Sequence, residues 1–242
     1  MKRPIPLPLT AAALGAAAFV LRLCLYRFGT DEKGLLVSGH PLEIALWLLA
    51  AAAAAFIVLQ SRKQKARQSY SLCFPVSNRA AIGCFAFAAG MLLTVMANRY
   101  TYSTLEFVRN ILCLLAVPAL TAVAICRRLG RRPLFGFHAV VCLALALHTV
   151  SHYRIWCACP QLQDAFFPMM GCILLMLFAY YQTAFDVNMK NPAMQTGTGL
   201  LAAFCCFAAM AESDTALLYL TGGIWTLTNL CAPAAENREE CQ

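Results

Sequence analysis

Charge is scarce in this chain. Only 12% of its 242 residues are Asp, Glu, Lys or Arg, where soluble domains carry about 25%. A water-facing surface of ordinary size cannot be built from so few. Chemistry-bearing motifs are lacking as well. There is no C-x-x-C, no H-E-x-x-H, no G-x-S-x-G, no phosphate-cradling glycine loop and no zinc-finger spacing. These gaps argue against a redox dithiol, a zincin, a nucleophile-elbow hydrolase, a P-loop NTPase and a zinc finger. No pair of aspartates lies within the apolar runs, which disfavours an intramembrane aspartyl protease. Short segments alternating apolar and polar residues, the mark of a membrane β-barrel, are missing. The net charge of +8 is spread at the flanks of apolar runs rather than gathered in one basic stripe, so nucleic acid is not an expected partner. No cofactor is implied.

Apolar residues are abundant at 61%, against about 45–50% in soluble domains. They fall in long runs separated by short polar breaks. About twenty apolar residues in a helix cross a hydrocarbon core of roughly 30 Å, and in lipid a helix satisfies its own backbone. The pattern predicts an all-α polytopic transmembrane bundle of about eight spans in a single domain, residues 1–242. The spans lie near Leu9–Tyr26, Pro41–Gln60, Ala80–Ala97, Ser103–Cys126, Leu134–His152, Asp164–Ala184, Pro192–Ala211 and Thr215–Ala232. A helix from Thr196 to Cys231 would exceed roughly 50 Å at ~1.5 Å per residue, too long for one crossing, so two spans are expected there. The tail, residues 233–242, is polar.

Local signals support these boundaries. Pro41 suits a first helical position, where a missing N–H costs nothing. Ser103 followed by Glu106 fits a capping box. Asp164 is placed to cap the sixth span. Pro118 should kink the fourth. Gly83 and Gly90 offer close-packing points for a neighbouring helix, and Gly197, Gly199, Gly222 and Gly223 read as packing or hinge positions. Arg22, near the end of the first span, is expected to snorkel to the interface. The links rich in Lys and Arg, Ser61–Arg79 and Arg127–Arg132, are expected in the cytoplasm, where they meet anionic headgroups. Both termini then lie in the cytoplasm, and Asp31, Glu32, Glu106, Asp164, Glu212 and Asp214 lie outside.

Candidate site residues cluster at the outer side. His148 and His152, four apart, share a helical face and form a possible two-ligand start to a metal site, although interfacial histidines are the plainer reading. Glu106 and Arg109 can pair across one turn. Glu43 meets the positive end of its helix dipole. Ionisable groups within a span face a partner or a water-filled cavity. Cys157 and Cys159 are a close thiol pair in a polar loop, too near in sequence for an unstrained bridge. Most of the 13 cysteines lie inside apolar runs and read as small hydrophobes.

The segments YRIW, PQLQDAFFP and LMLFAYYQTAFD, with DEKGLLVSGHPLEIALW earlier, resemble uncharacterised multi-pass membrane proteins of Clostridia-type bacteria. The resemblance implies a bacterial inner-membrane location and no activity.

From the residues, the leading expectation is binding or movement of a small solute or ion through an outward-opening polar cavity. Glu43, Glu106, Arg109, His148, His152 and Asp164 would line it. One alternative is a structural or accessory protein packing against a membrane partner through the small-residue faces Ala11–Ala18 and Ala50–Ala55. Another is an enzyme acting on a lipid or thiol.

Overall fold

A computed structural model describes residues 7–31, 36–37, 39–63, 76–97, 103–157, 165–189, 191–211 and 215–236. They form α1 (Leu7–Phe28), α2 (Pro41–Ser61), α3 (Asn78–Ala97), α4 (Thr104–Leu129), α5 (Phe135–Trp156), α6 (Phe166–Asp186), α7 (Pro192–Ala209) and α8 (Ala216–Glu236). Seven of them, α1 to α7, are long and apolar enough to cross a membrane; α8 is apolar over Ala216–Cys231. Among the described residues there is no strand, only an isolated bridge between Thr30 and Leu36 in the link from α1 to α2.

The local chemistry explains where the helices start and stop. Pro41 occupies the first turn of α2, and His40 caps it, its Nδ1 accepting from Leu42 N at 3.3 Å. Ser103 Oγ accepts from Glu106 N at 3.3 Å, the first half of the capping box at α4. Gly130 closes α4 in the left-handed region at φ 66°, where its N–H reaches Cys126 O; only glycine adopts that backbone without cost. Asn191 caps α7 through Met194 N. Three expectations need correction. The N-cap of α6 is Ala165, with no side-chain cap, while Asp164 lies outside the described residues. Helix α5 continues one turn past His152, to Trp156. Helix α8 runs through Pro233 to Glu236, into the stretch expected to be a polar tail. Pro118 sits inside α4, which continues through it as one helix.

Neighbours in sequence pack as neighbours in space along α3, α4, α5, α6 and α7, and α8 closes the circuit between α7 and α3. Helix α1 lies on α7 and α8, and α2 lies on α1 and α7. The pairs fix an up-and-down arrangement. Arg109 near the start of α4 meets Ser151 near the end of α5. His138 near the start of α5 meets Asp186 at the end of α6. Arg22 near the end of α1 meets Ala208 near the end of α7. The bundle thus has one end carrying Arg22 and Arg109 and an opposite end carrying Arg127.

Lipid tails are as apolar as leucine, so helices in a bilayer associate through close contact rather than through exclusion of water. The seam between α3 and α8 shows this. A Cβ on Gly83 would lie 1.8 Å from Thr228 Oγ1, and one on Gly90 would lie 2.0 Å from Thr221 Oγ1. Both threonines spend their hydroxyls on their own helix, Thr228 on Ile224 O and Thr221 on Leu217 O. They therefore pack without leaving a stranded donor. Gly199 faces Phe178 and Gly222 faces Leu175 in the same close manner, so the glycines expected to pack do so.

Aromatic rings fill the middle. Phe87 of α3 stacks on Trp225 of α8 with centroids 4.8 Å apart, and Phe178 of α6 meets the same indole edge-on at 5.0 Å. All three are fully buried or nearly so.

Candidate functional site

Arg22 belongs to α1, on the same face as Ala11, Ala18 and Leu25, which are buried. Snorkelling is overturned: the side chain turns inward and is 3% exposed. One amino group donates to Ala208 O at 3.0 Å and the other to Tyr26 Oη. Its Cζ lies 5.3 Å from the ring centroids of both Tyr26 and Phe167. A buried guanidinium is costly in lipid. A desolvated cation–π contact returns about 2 kcal/mol, and a hydrogen bond from a charged donor about 1.5–3 kcal/mol. The spacing of Arg22 and Tyr26, four apart on one helical face, was the available sequence signal.

Arg22 lines a cleft with Leu25, Tyr26, Leu36, Glu43, Leu46, Trp47 and Phe167. Its cavity volume is about 20 Å³, and it is open at its mouth. The link from α1 to α2 brings Leu36 over it, since Val37 N donates to Gly29 O at 2.8 Å. Trp47 is held by Phe166 edge-on at 4.8 Å and by Phe167 stacked at 6.0 Å. Glu43 stands in the first turn of α2, and its Oε2 accepts from Gly39 N at 2.9 Å. The cleft therefore presents a cation, a carboxylate and aromatic walls at the end of the membrane-crossing helices.

The other expected site residues fall elsewhere. Arg109 is buried on α4, where Nε and one amino group bond Asn110 Oδ1 at 3.2 and 3.1 Å and the other amino group donates to Ser151 Oγ at 3.2 Å. His148 and His152 stack with centroids 4.2 Å apart on α5. His148 is buried, and its Nε2 has no hydrogen-bond partner among the described residues. These three form a seam between α4 and α5, whereas Glu43 belongs to the cleft bounded by α1, α2 and α6. Glu106 is half-buried in the first turn of α4. Among the described residues no three His, Cys, Asp or Glu side chains gather to hold a metal ion. Cys157 is exposed; Cys159 and Asp164 lie outside the described residues.

A second polar group sits at the opposite end, and the sequence reading missed it. Arg127 donates to Gln182 Oε1 at 2.8 Å, and His138 Nδ1 lies 2.7 Å from Asp186 Oδ2. Gln182 and Asp186 are four apart on α6, so one helical face carries both acceptors. All four side chains are buried.

No known protein family, curated protein or solved structure matches this chain. By its own helices, the chain is a multi-pass helical membrane protein.

Proposed function

We propose that this protein binds a small charged solute in the cleft formed by Arg22, Glu43, Trp47 and Phe167, and that the cleft opens on the outer face of a bacterial inner membrane. One observation carries the reading. A guanidinium in a membrane-crossing helix is 3% exposed yet lines an open cleft that a carboxylate also lines. Intramembrane charges that face a cavity rather than a purely structural partner mark binding sites. The concave, aromatic wall with few polar groups has the composition of small-molecule pockets. The orientation is supported by the distribution of charge: Arg62, Lys63, Arg79, Arg127, Arg128, Arg131 and Arg132 flank helices at the far end, and such residues stay in the cytoplasm.

Movement of the bound solute is the extension of this reading. The rings of Phe87, Phe178 and Trp225 close the core between α3, α6 and α8, so binding is the part the geometry supports best.

The test is equilibrium binding to the full chain purified in detergent, read by tryptophan fluorescence. Trp47 lies in the cleft, and Trp225 lies in the core. A saturable change on adding small organic acids, amines or amino acids, abolished in Trp47→Phe, supports the reading. An unchanged signal across such a panel, with the protein folded, removes it.

A further inference from the structure

We infer that the seam between α4 and α5 holds one halide-sized anion, bound by Arg109, Ser151 and His148 and separate from the cleft of Arg22. Arg109 is 5% exposed in a membrane-crossing helix. Nε and one amino group donate to Asn110 Oδ1 at 3.2 and 3.1 Å, and the other amino group donates to Ser151 Oγ at 3.2 Å. Both partners are neutral. No carboxylate, Glu106 included, is among its partners within the described residues. A guanidinium keeps its proton in a protein, and a charge buried in a span is held by a counter-charge. Here the chain supplies the cation without the counter-charge.

Around the guanidinium stands a set of donors. Arginine has five N–H groups, so each amino group keeps a second N–H beyond the bond it makes. Ser151 Oγ accepts from Arg109, which leaves its own O–H to give. His148 lies one turn before Ser151 on the same face of α5. It is 1% exposed, and its Nε2 has no hydrogen-bond partner among the described residues. A neutral imidazole carries one N–H and can present it there. The ring of His152 stacks on that of His148 with centroids 4.2 Å apart, which fixes its plane. Donors select an anion. A metal ion needs lone pairs, and Arg109 would repel it. Burial sets the size. Arg109, Ser151 and His148 are 5%, 4% and 1% exposed, which suits a single-atom ion and not a phosphate or an organic acid. A sphere also accepts from any direction, as donors converging from two helices require.

The experiment uses the full chain in detergent, exchanged into sodium gluconate and titrated with sodium chloride or bromide at constant ionic strength. A ligand that binds the folded chain alone raises the unfolding temperature. At a hundredfold excess over Kd the rise is expected to reach at least about 5 °C and to saturate. Sodium acetate should leave the temperature unchanged. Arg109→Gln is expected to abolish the halide response, and Ser151→Ala and His148→Phe each to weaken it about tenfold. Arg109→Gln also unpairs buried groups, so position is read a second way. Bromide located by anomalous scattering in crystals of the parent chain should lie against Arg109 and His148. Equal unfolding temperatures in gluconate and halide overturn the inference. So does a halide response of parental strength in both Ser151→Ala and His148→Phe, which would put the ion at exposed arginines instead. A response to acetate as strong as to chloride, and lost in the same variants, overturns the size assigned to the anion.

Discussion

His138 Nδ1 and Asp186 Oδ2 stand 2.7 Å apart with both side chains 1% exposed, joining the start of α5 to the end of α6. A hydrogen-bonded pair in such a place is expensive to break on one side only, because the surviving polar group stays buried without its partner. The pair also sits beside Arg127 and Gln182, whose bond ties α4 to the same face of α6.

The first prediction follows from that pair. His138→Phe and Asp186→Leu should each lower the thermal stability of the detergent-purified protein, and the double variant should lose less than their sum. The expected coupling is about 1–3 kcal/mol, within the range for residues in direct contact. The cycle isolates the pair from the other interactions of Asp186. Strict additivity would show that the contact does not contribute to holding α5 against α6.

The α3–α8 seam gives the second prediction. Gly83→Ala places a methyl where Thr228 Oγ1 already stands, at 1.8 Å, with Thr228 Cβ at 3.0 Å behind it. Overpacking of this kind costs typically about 1–3 kcal/mol, and thermal unfolding in detergent should show it. Pairing Gly83→Ala with Thr228→Ala removes the hydroxyl and should restore part of the loss. A Gly83→Ala protein as stable as the parent would mean that Thr228 does not press on Gly83 as closely as this.

Much of this architecture was legible from residue order. Runs of apolar residues gave the helices and nearly all their limits, because the thickness of hydrocarbon sets their length. Glycine spacing gave the close-packed faces, and Ser103 and Pro41 gave helix starts. The site was harder to see. Arg22 near a helix end reads as snorkelling outward, and its turning inward depends on Phe167 and Ala208, far away in sequence. Asp186 falls in the break between the expected spans that end at Ala184 and start at Pro192, and a single chain does not say which helix lies opposite; His138 across the interface makes it a buried group. The expected outer cavity joined Glu43 to Arg109, His148 and His152 because all lay at one side of the membrane. Sharing a depth is not sharing a face, and the folded chain assigns Glu43 to the α1–α2 cleft and the others to the α4–α5 seam.

The third prediction concerns which end faces the cytoplasm. Arg127 and Arg128 end α4, Arg131 and Arg132 follow it, and Arg62, Lys63 and Arg79 lie at the same end of the bundle. The opposite end carries Arg27 and Arg154 as its described exposed arginines, with Arg22 and Arg109 turned into the protein. Basic links resist translocation, so the Arg22 end should be outside, and with it Cys157, which is exposed just past the end of α5. A membrane-impermeant maleimide added to intact spheroplasts should label the protein, and Cys157→Ser should reduce that labelling. Cys84, Cys113, Cys172, Cys205 and Cys206 are buried and should stay unmodified until the protein is unfolded. Should Cys157 react only after the membrane is permeabilised, the bundle is inverted. The cleft of Arg22 and Glu43 would then sample cytoplasmic solutes, and any search for its ligand should begin there.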